Sequence, residues 1–274
     1  MNLSFAILTI SGSIYFAAFL FHLASFLGIY KQGHQPAFTL IRIGFLLNTF
    51  YFTAEAVEYH SFLPVVNFPQ AMTFFAWSLS FVYLVLLARA QSESFGLILT
   101  PMVLLFIVLA GLGFQWRSAL LPHMSNPFFA IHIICAYFAY ASFTISFTAG
   151  LLYLIQYYEL KAKHAGRFYH KLPSLEELEK LIYQPMIWGA SLLVAAVGIG
   201  FIWSKSAYGE YWLWDPKTIA TGITALFYFV ILYLRYISSL RGKQIAVLSL
   251  AAFGVVLFSF VGTRFIGGSH NFLQ

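Results

Sequence analysis

The chain has little charge: 9% of its 274 residues are Asp, Glu, Lys or Arg, against about a quarter in a soluble domain. So few charges cannot cover a water-facing surface, which excludes a soluble globular protein and makes this an integral membrane protein. Cysteine is nearly absent. The single Cys135 excludes an internal disulfide, and without any CxxC or CxxCH the chain is neither a thiol oxidoreductase nor itself a c-type cytochrome. No nucleophile–base motif, phosphate-binding glycine loop or nucleic-acid fold signature occurs, so the net charge of +6 does not point to nucleic acid. A basic n-region and a small-residue cleavage site are also missing at the start, so the first apolar run is expected to be retained.

What the chain has instead is apolar length. A membrane span needs about 20 apolar residues, and eight runs qualify, at roughly 4–30, 37–58, 68–90, 95–116, 127–158, 184–204, 217–238 and 244–266. The expected fold is therefore an all-α bundle of about eight transmembrane helices, forming one domain over 1–274. Asn126-Pro127 and Asp215-Pro216 each place a capping side chain before a proline at the first helical position. Gly267-Gly268 ends the last span. Lys31, Arg42, Arg89, Lys161, Lys163, Arg167, Lys171, Lys180, Arg235, Arg241 and Lys243 fall on one side, and only Arg117, Lys205, Lys217 and Arg264 on the other. Basic loops stay in the cytoplasm, so both termini are expected outside. The longest loop, 159–183, is cytoplasmic. Ser174 and Glu177 have capping-box spacing there, and Leu175, Leu178, Leu181 and Ile182 share a face, which predicts a short helix lying on the inner interface.

The outer side carries the distinctive feature, an aromatic segment over 208–217 with Tyr208, Tyr211, Trp212, Trp214, Asp215 and Lys217. It forms a broad amphipathic platform at the membrane boundary, suited to a planar, greasy ligand with a charged rim. His132 lies about five residues into the fifth span, roughly 8 Å below its outer end at 1.5 Å per residue. His270 follows Gly267-Gly268 on the same side. Two neutral imidazoles on opposite faces of an iron porphyrin are a sensible axial pair, and Lys205, Lys217 or Arg264 suits the propionates. Each residue also has an ordinary role. Interfacial Trp and Tyr form belts, Asp215 is an N-cap, His132 is a hydrogen-bonded helix-end histidine, and His270 belongs to a solvated tail.

Trp212-Leu213-Trp214-Asp215-Pro216-Lys217, preceded by Tyr208-Gly209 and Tyr211, resembles the tryptophan-rich WWD motif of the cytochrome c assembly proteins of the CcsA/ResC type, with HemX-like proteins as relatives. Residues Asn67 through Trp77, Asn126-Pro127 with His132, Leu172 through Tyr183, and Gly267 through His270 are similar to other parts of that family, so the resemblance covers most of the chain. It implies a CcsA-like protein of the bacterial cytoplasmic membrane. Such a protein binds haem b at the outer, periplasmic face and presents it for covalent attachment to the CxxCH of apocytochrome c. His132 and His270 are then axial ligands and the WWD-type segment the platform. A membrane subunit of the CcsB/ResB type completes the synthase complex. The alternative it implies is a HemX-like regulator or assembly factor of haem biosynthesis without attachment activity.

There are departures. The family continues WDPKETW, where this chain reads Trp214-Asp215-Pro216-Lys217-Thr218-Ile219-Ala220. The family's membrane-embedded histidine in the seventh span corresponds to Tyr233, for which a buried neutral tyrosine is the expected reading. His22 in the first span is a second intramembrane candidate, as ligand or as packing residue. Glu55 and Glu58 either line a polar vestibule or mark the end of the second span. Cys135, one turn after His132, is expected to be a small packing residue. Ionisable groups do not form a string across the midplane, which argues against a transporter.

Overall fold

The computed structural model describes residues 3–30, 34–65, 67–86, 93–114, 126–163, 171–211, 214, 216–238 and 240–260. Among them all regular structure is helical: α1 (Leu3–Leu27), α2 (His34–Tyr59), α3 (Phe68–Leu86), α4 (Glu93–Leu112), α5 (Pro127–Lys161), α6 (Leu175–Tyr208), α7 (Pro216–Ser238) and α8 (Lys243–Phe260). A lone helix satisfies its own backbone, as hydrocarbon demands. Each expected span coincides with one of these helices. α1 to α7 are long and apolar enough to cross a membrane, and α8 is apolar but shorter within the described residues. Trp212, Asp215, Arg264, Gly267, Gly268 and His270 lie outside the described residues.

The helices fall into two compact units, residues 1–125 and 126–272. The first holds α1 to α4. Tyr15 on α1 is fully buried and its hydroxyl meets Ser80 Oγ on α3 at 2.9 Å. Trp77 on α3 stacks on Phe45 of α2 at 5.2 Å between centroids and donates from Nε1 to Thr49 Oγ1. His22 is fully buried, with its ring against the bare backbone of Gly96 on α4. Glu55 is buried as well and accepts from Gln70 Nε2 at 2.6 Å, while the Gln70 amide donates to Asn67 Oδ1. Glu55 is thus tied into the α2–α3 packing, whereas Glu58 is exposed.

The second unit is built around α5. Its contacts with α6 pair His132 with Ala196, Phe143 with Gly189 and Ser146 with Ile182. One number rises as the other falls, so the two helices are antiparallel. Phe143 also stacks on Tyr228 of α7 at 3.6 Å, and Phe147 on Phe253 of α8 at 4.4 Å. Small residues at these crossings let backbones approach, as is common inside membranes, where apolar surface alone gives helices no reason to associate.

Two expectations need correction. The inner-interface helix and the sixth span are one continuous helix of 34 residues, α6, which runs straight through Pro185. The capping box at Ser174 and Glu177 is present and starts it. Leu178 and Ile182 are fully buried in the protein rather than resting on lipid. At about 1.5 Å per residue α5 and α6 are each about 50 Å long, beyond the roughly 30 Å of a hydrocarbon core. The excess forms an antiparallel stem on the side rich in basic residues. The second correction concerns Tyr233, which is 54% exposed on the outer surface of α7 rather than buried. The buried face of α7 is instead Ala220, Thr224, Tyr228 and Ile231, at spacings of one helical turn.

Glu179 joins three elements on the stem side. One carboxylate oxygen accepts from Arg235 Nη1 at 2.9 Å and the other from the Gly242 amide at 2.9 Å, just before α8. Arg235 also donates to Leu240 O and lies 4.2 Å over the Tyr183 ring. Glu179→Ala leaves this half-buried cation without its carboxylate. A loss of about 1–3 kcal/mol is expected, read as a lower denaturation midpoint in detergent, and an unchanged midpoint would contradict the assigned role.

Candidate functional site

The site begins at the start of α5. Asn126 has extended backbone angles, and its Oδ1 accepts from the Phe128 amide at 2.9 Å ahead of Pro127 at the first helical position. This is the N-cap expected from the sequence. Asn126 Nδ2 donates to Ser206 Oγ at 3.2 Å, which ties the start of α5 to the end of α6. His132, in the second turn, is therefore carried on a helix end fixed at two points.

The His132 ring is held from two sides. Its Nδ1 lies 2.8 Å from Ala196 O on α6. A carbonyl only accepts, so Nδ1 must carry the proton. In the neutral ring the lone pair is then on Nε2, the form in which imidazole ligates a metal. Trp203, 5% exposed, lies nearly parallel to the imidazole, with centroids 6.2 Å apart and planes 17° apart. Trp203 also packs on Phe129 and is met edge-on by Tyr208 at 5.6 Å. The sequence reading missed Trp203. The available signal was the spacing of Ala196, Gly200 and Trp203, four and then three residues apart on one helical face.

His132 and Trp203 line a small, partly open groove with room of about 80 Å3 for water-sized spheres. Val197, Phe201 and Trp203 supply its apolar wall, Ser204, Thr218 and Thr221 hydroxyls, and Tyr211 a second ring; His132 and Lys217 line it too. The chemistry on offer is one nitrogen ligand, flat apolar surface and one cation. Among the described residues no group of three or more His, Cys, Asp or Glu could hold a bare metal ion. That donor set fits a metal that arrives already coordinated in a planar macrocycle.

Of the residues singled out in the sequence, His132 and Tyr211 line one groove, and Tyr208 reaches it through Trp203. Trp214 is 82% exposed. Trp212, Asp215 and His270 are outside the described residues. Lys205 is engaged at the helix end, where Nζ donates to Gly209 O at 2.7 Å and sits 5.1 Å over the Tyr211 ring. Lys217 is the cation in the groove wall among the described residues. Cys135 is half-buried on α5 and is not among the groove residues.

Known proteins resemble this chain in sequence and fold. The model of a family described as "Cytochrome C assembly protein" matches residues 65–270, well over half of the chain. Protein HemX of Brevibacillus brevis is 27% identical over 252 residues, covering 91% of this chain and 92% of that protein. Cytochrome c biogenesis protein CcsA of Guillardia theta is 25% identical over 301 residues, covering 99% and 98%. Among solved structures, Cytochrome c Heme Lyase CcmF superposes with a TM-score of 0.66 at 16% identity over 94% of this chain. That likeness is one of fold, and the chain spans about half the length of CcmF, 46%.

Gly209 places Tyr211 at the groove. It closes α6 with φ +80°, and its amide bonds to Lys205 O. Only glycine takes this left-handed conformation without penalty. Gly209→Ala is expected to cost about 1–2 kcal/mol and to weaken ligand binding in the groove. Equal midpoints for variant and parent in detergent unfolding would show that the turn is not held as described.

Proposed function

The chain belongs to the cytochrome c assembly protein family, and from that premise we propose that it is a haem-handling membrane protein of c-type cytochrome biogenesis. It binds haem b in the groove of the second unit, on the outer face of a bacterial cytoplasmic membrane, and presents it for attachment to apocytochrome c. The observation that carries this reading is the His132 imidazole in the groove wall, with Nδ1 held by Ala196 O and the lone pair thereby placed on Nε2. A rotating surface histidine would offer no such fixed donor.

In this reading His132 and His270 would each supply a nitrogen to hold the haem iron. Trp203, Val197 and Phe201 cover the apolar face of the macrocycle, and Tyr208, Tyr211, Trp212 and Trp214 extend that cover. Lys217 would pair with a propionate, and Asp215 would add a hydrogen bond to the site. Two such imidazoles would limit oxidation of a bound haem before its attachment to a CxxCH segment. The haem supplies the reactive chemistry, and the chain supplies position and redox poise. A CcsB/ResB-type subunit is the expected partner.

A second reading is favoured by two observations: the likeness to HemX over 91% of the chain, and an exposed tyrosine, Tyr233, where the family's inner histidine is expected. A regulator or assembly factor of haem biosynthesis would bind haem without attaching it. Pull-down separates the two. Recovery of a CcsB-type subunit with apocytochrome supports attachment, and recovery of a tetrapyrrole-synthesis enzyme supports regulation.

The ligand assignment is tested by His132→Ala and His270→Ala, singly and together. Each single variant is expected to purify with several-fold less haem, and the double variant with none. A double variant that keeps the parent's haem content and spectrum would refute the assignment.

A further inference from the structure

We infer that Gly200 on α6 is a positioning residue for haem ligation: its missing side chain is the condition under which the His132 ring reaches Ala196 O and is fixed as the Nδ1–H tautomer. The inference deepens the reading that His132 ligates haem and rests on it.

The geometry is that of one helical turn. In an α-helix the carbonyl of residue 196 accepts the amide of residue 200. The Cβ of residue 200 would lean back toward the N-terminus, into the place the His132 ring now takes. A carbonyl has two lone pairs, so Ala196 O accepts the ring as a second donor, much as Ile182 O accepts Ser146 Oγ. A methyl on Gly200 would sit 2.8 Å from Nδ1 and 3.0 Å from Cε1, closer than such contacts allow. Trp203 lies parallel to the imidazole one turn further along the same face of α6, and Phe129 packs behind Trp203. Displacing the ring breaks the hydrogen bond to Ala196 O and with it the fixed tautomer. A backbone carbonyl on the far nitrogen also makes an imidazole a stronger donor to iron, so its loss is expected to weaken ligation and raise the haem reduction potential.

Gly198, on the same helix two residues away, provides the control, because a methyl there meets nothing within 4 Å. Both glycine-to-alanine changes favour helix by propensity, so neither is expected to unfold α6. The expected result is a selective one. Gly200→Ala keeps its detergent melting temperature, loses haem affinity by about tenfold, raises the haem potential and gains high-spin ferric character. Gly198→Ala matches the parent in all four. Nitrogen-15 NMR of labelled His132 in protein purified without haem reads the tautomer directly. The parent should carry the proton on Nδ1, and Gly200→Ala should lose that state.

A parent ring protonated on Nε2, a Gly200→Ala protein with parental tautomer and potential, or an equal effect of Gly198→Ala would each overturn the inference. The two readings fail separately. Protein that never takes up haem yet shows a Gly200-dependent Nδ1–H tautomer sinks the haem reading and leaves the positioning intact. Protein that binds haem with the other tautomer does the reverse.

Discussion

The second unit depends on α6 offering bare backbone to α5. Gly189 faces the Phe143 ring and Gly200 faces the His132 ring. The interval between the glycines equals the interval between the rings, about three helical turns, so both contacts lie on one face of each helix. At the first, an aromatic ring packs on a glycine and is stacked from the other side by Tyr228. At the second, the ring is an imidazole and the contact includes a hydrogen bond. The same packing device serves cohesion deep in the bundle and chemistry near its end. Close approach is what lipid rewards, since dispersion and hydrogen bonds must hold together helices that gain nothing from hiding apolar surface.

That constraint explains which features were legible in the sequence. Span number and position followed from apolar length alone, because a bilayer core fixes the length of a helix. The Asn126-Pro127 start of α5 and the Ser174–Glu177 capping box were readable as local chemistry, and both are present. Less legible was how far a helix continues once its ends leave the lipid. A short helix within 159–183 and a separate span from 184 were expected, yet α6 joins the two through Pro185. The turn beside it is supported from α5, where Ser146 Oγ donates to Ile182 O at 2.8 Å. Tertiary partners of this kind leave no mark in a single sequence.

The site divides along the same line. His132 and Tyr211 could be named from residue type and topology. Trp203 and Gly200 were passed over despite their helical spacing, because each matters through what α5 places against it. Tyr233 shows the opposite error. Counting along a motif gave its position, but only the helical face decides whether a residue looks inward, and on α7 the inward tyrosine is Tyr228. The aromatic segment after α6 is anchored at Gly209, so its first ring at the groove, Tyr211, is set by a helix terminus rather than by a free loop.

Family membership, a groove with a tautomer-fixed imidazole and a lysine in its wall support the proposal that haem is held at one end of the second unit. The most direct test is the absorption spectrum of the intact protein purified in mild detergent, oxidised and then reduced. The account predicts bound haem b with a six-coordinate, low-spin, bis-histidine spectrum in both states. Protein that purifies without haem and does not acquire it on titration, or that gives a five-coordinate high-spin spectrum, would contradict it.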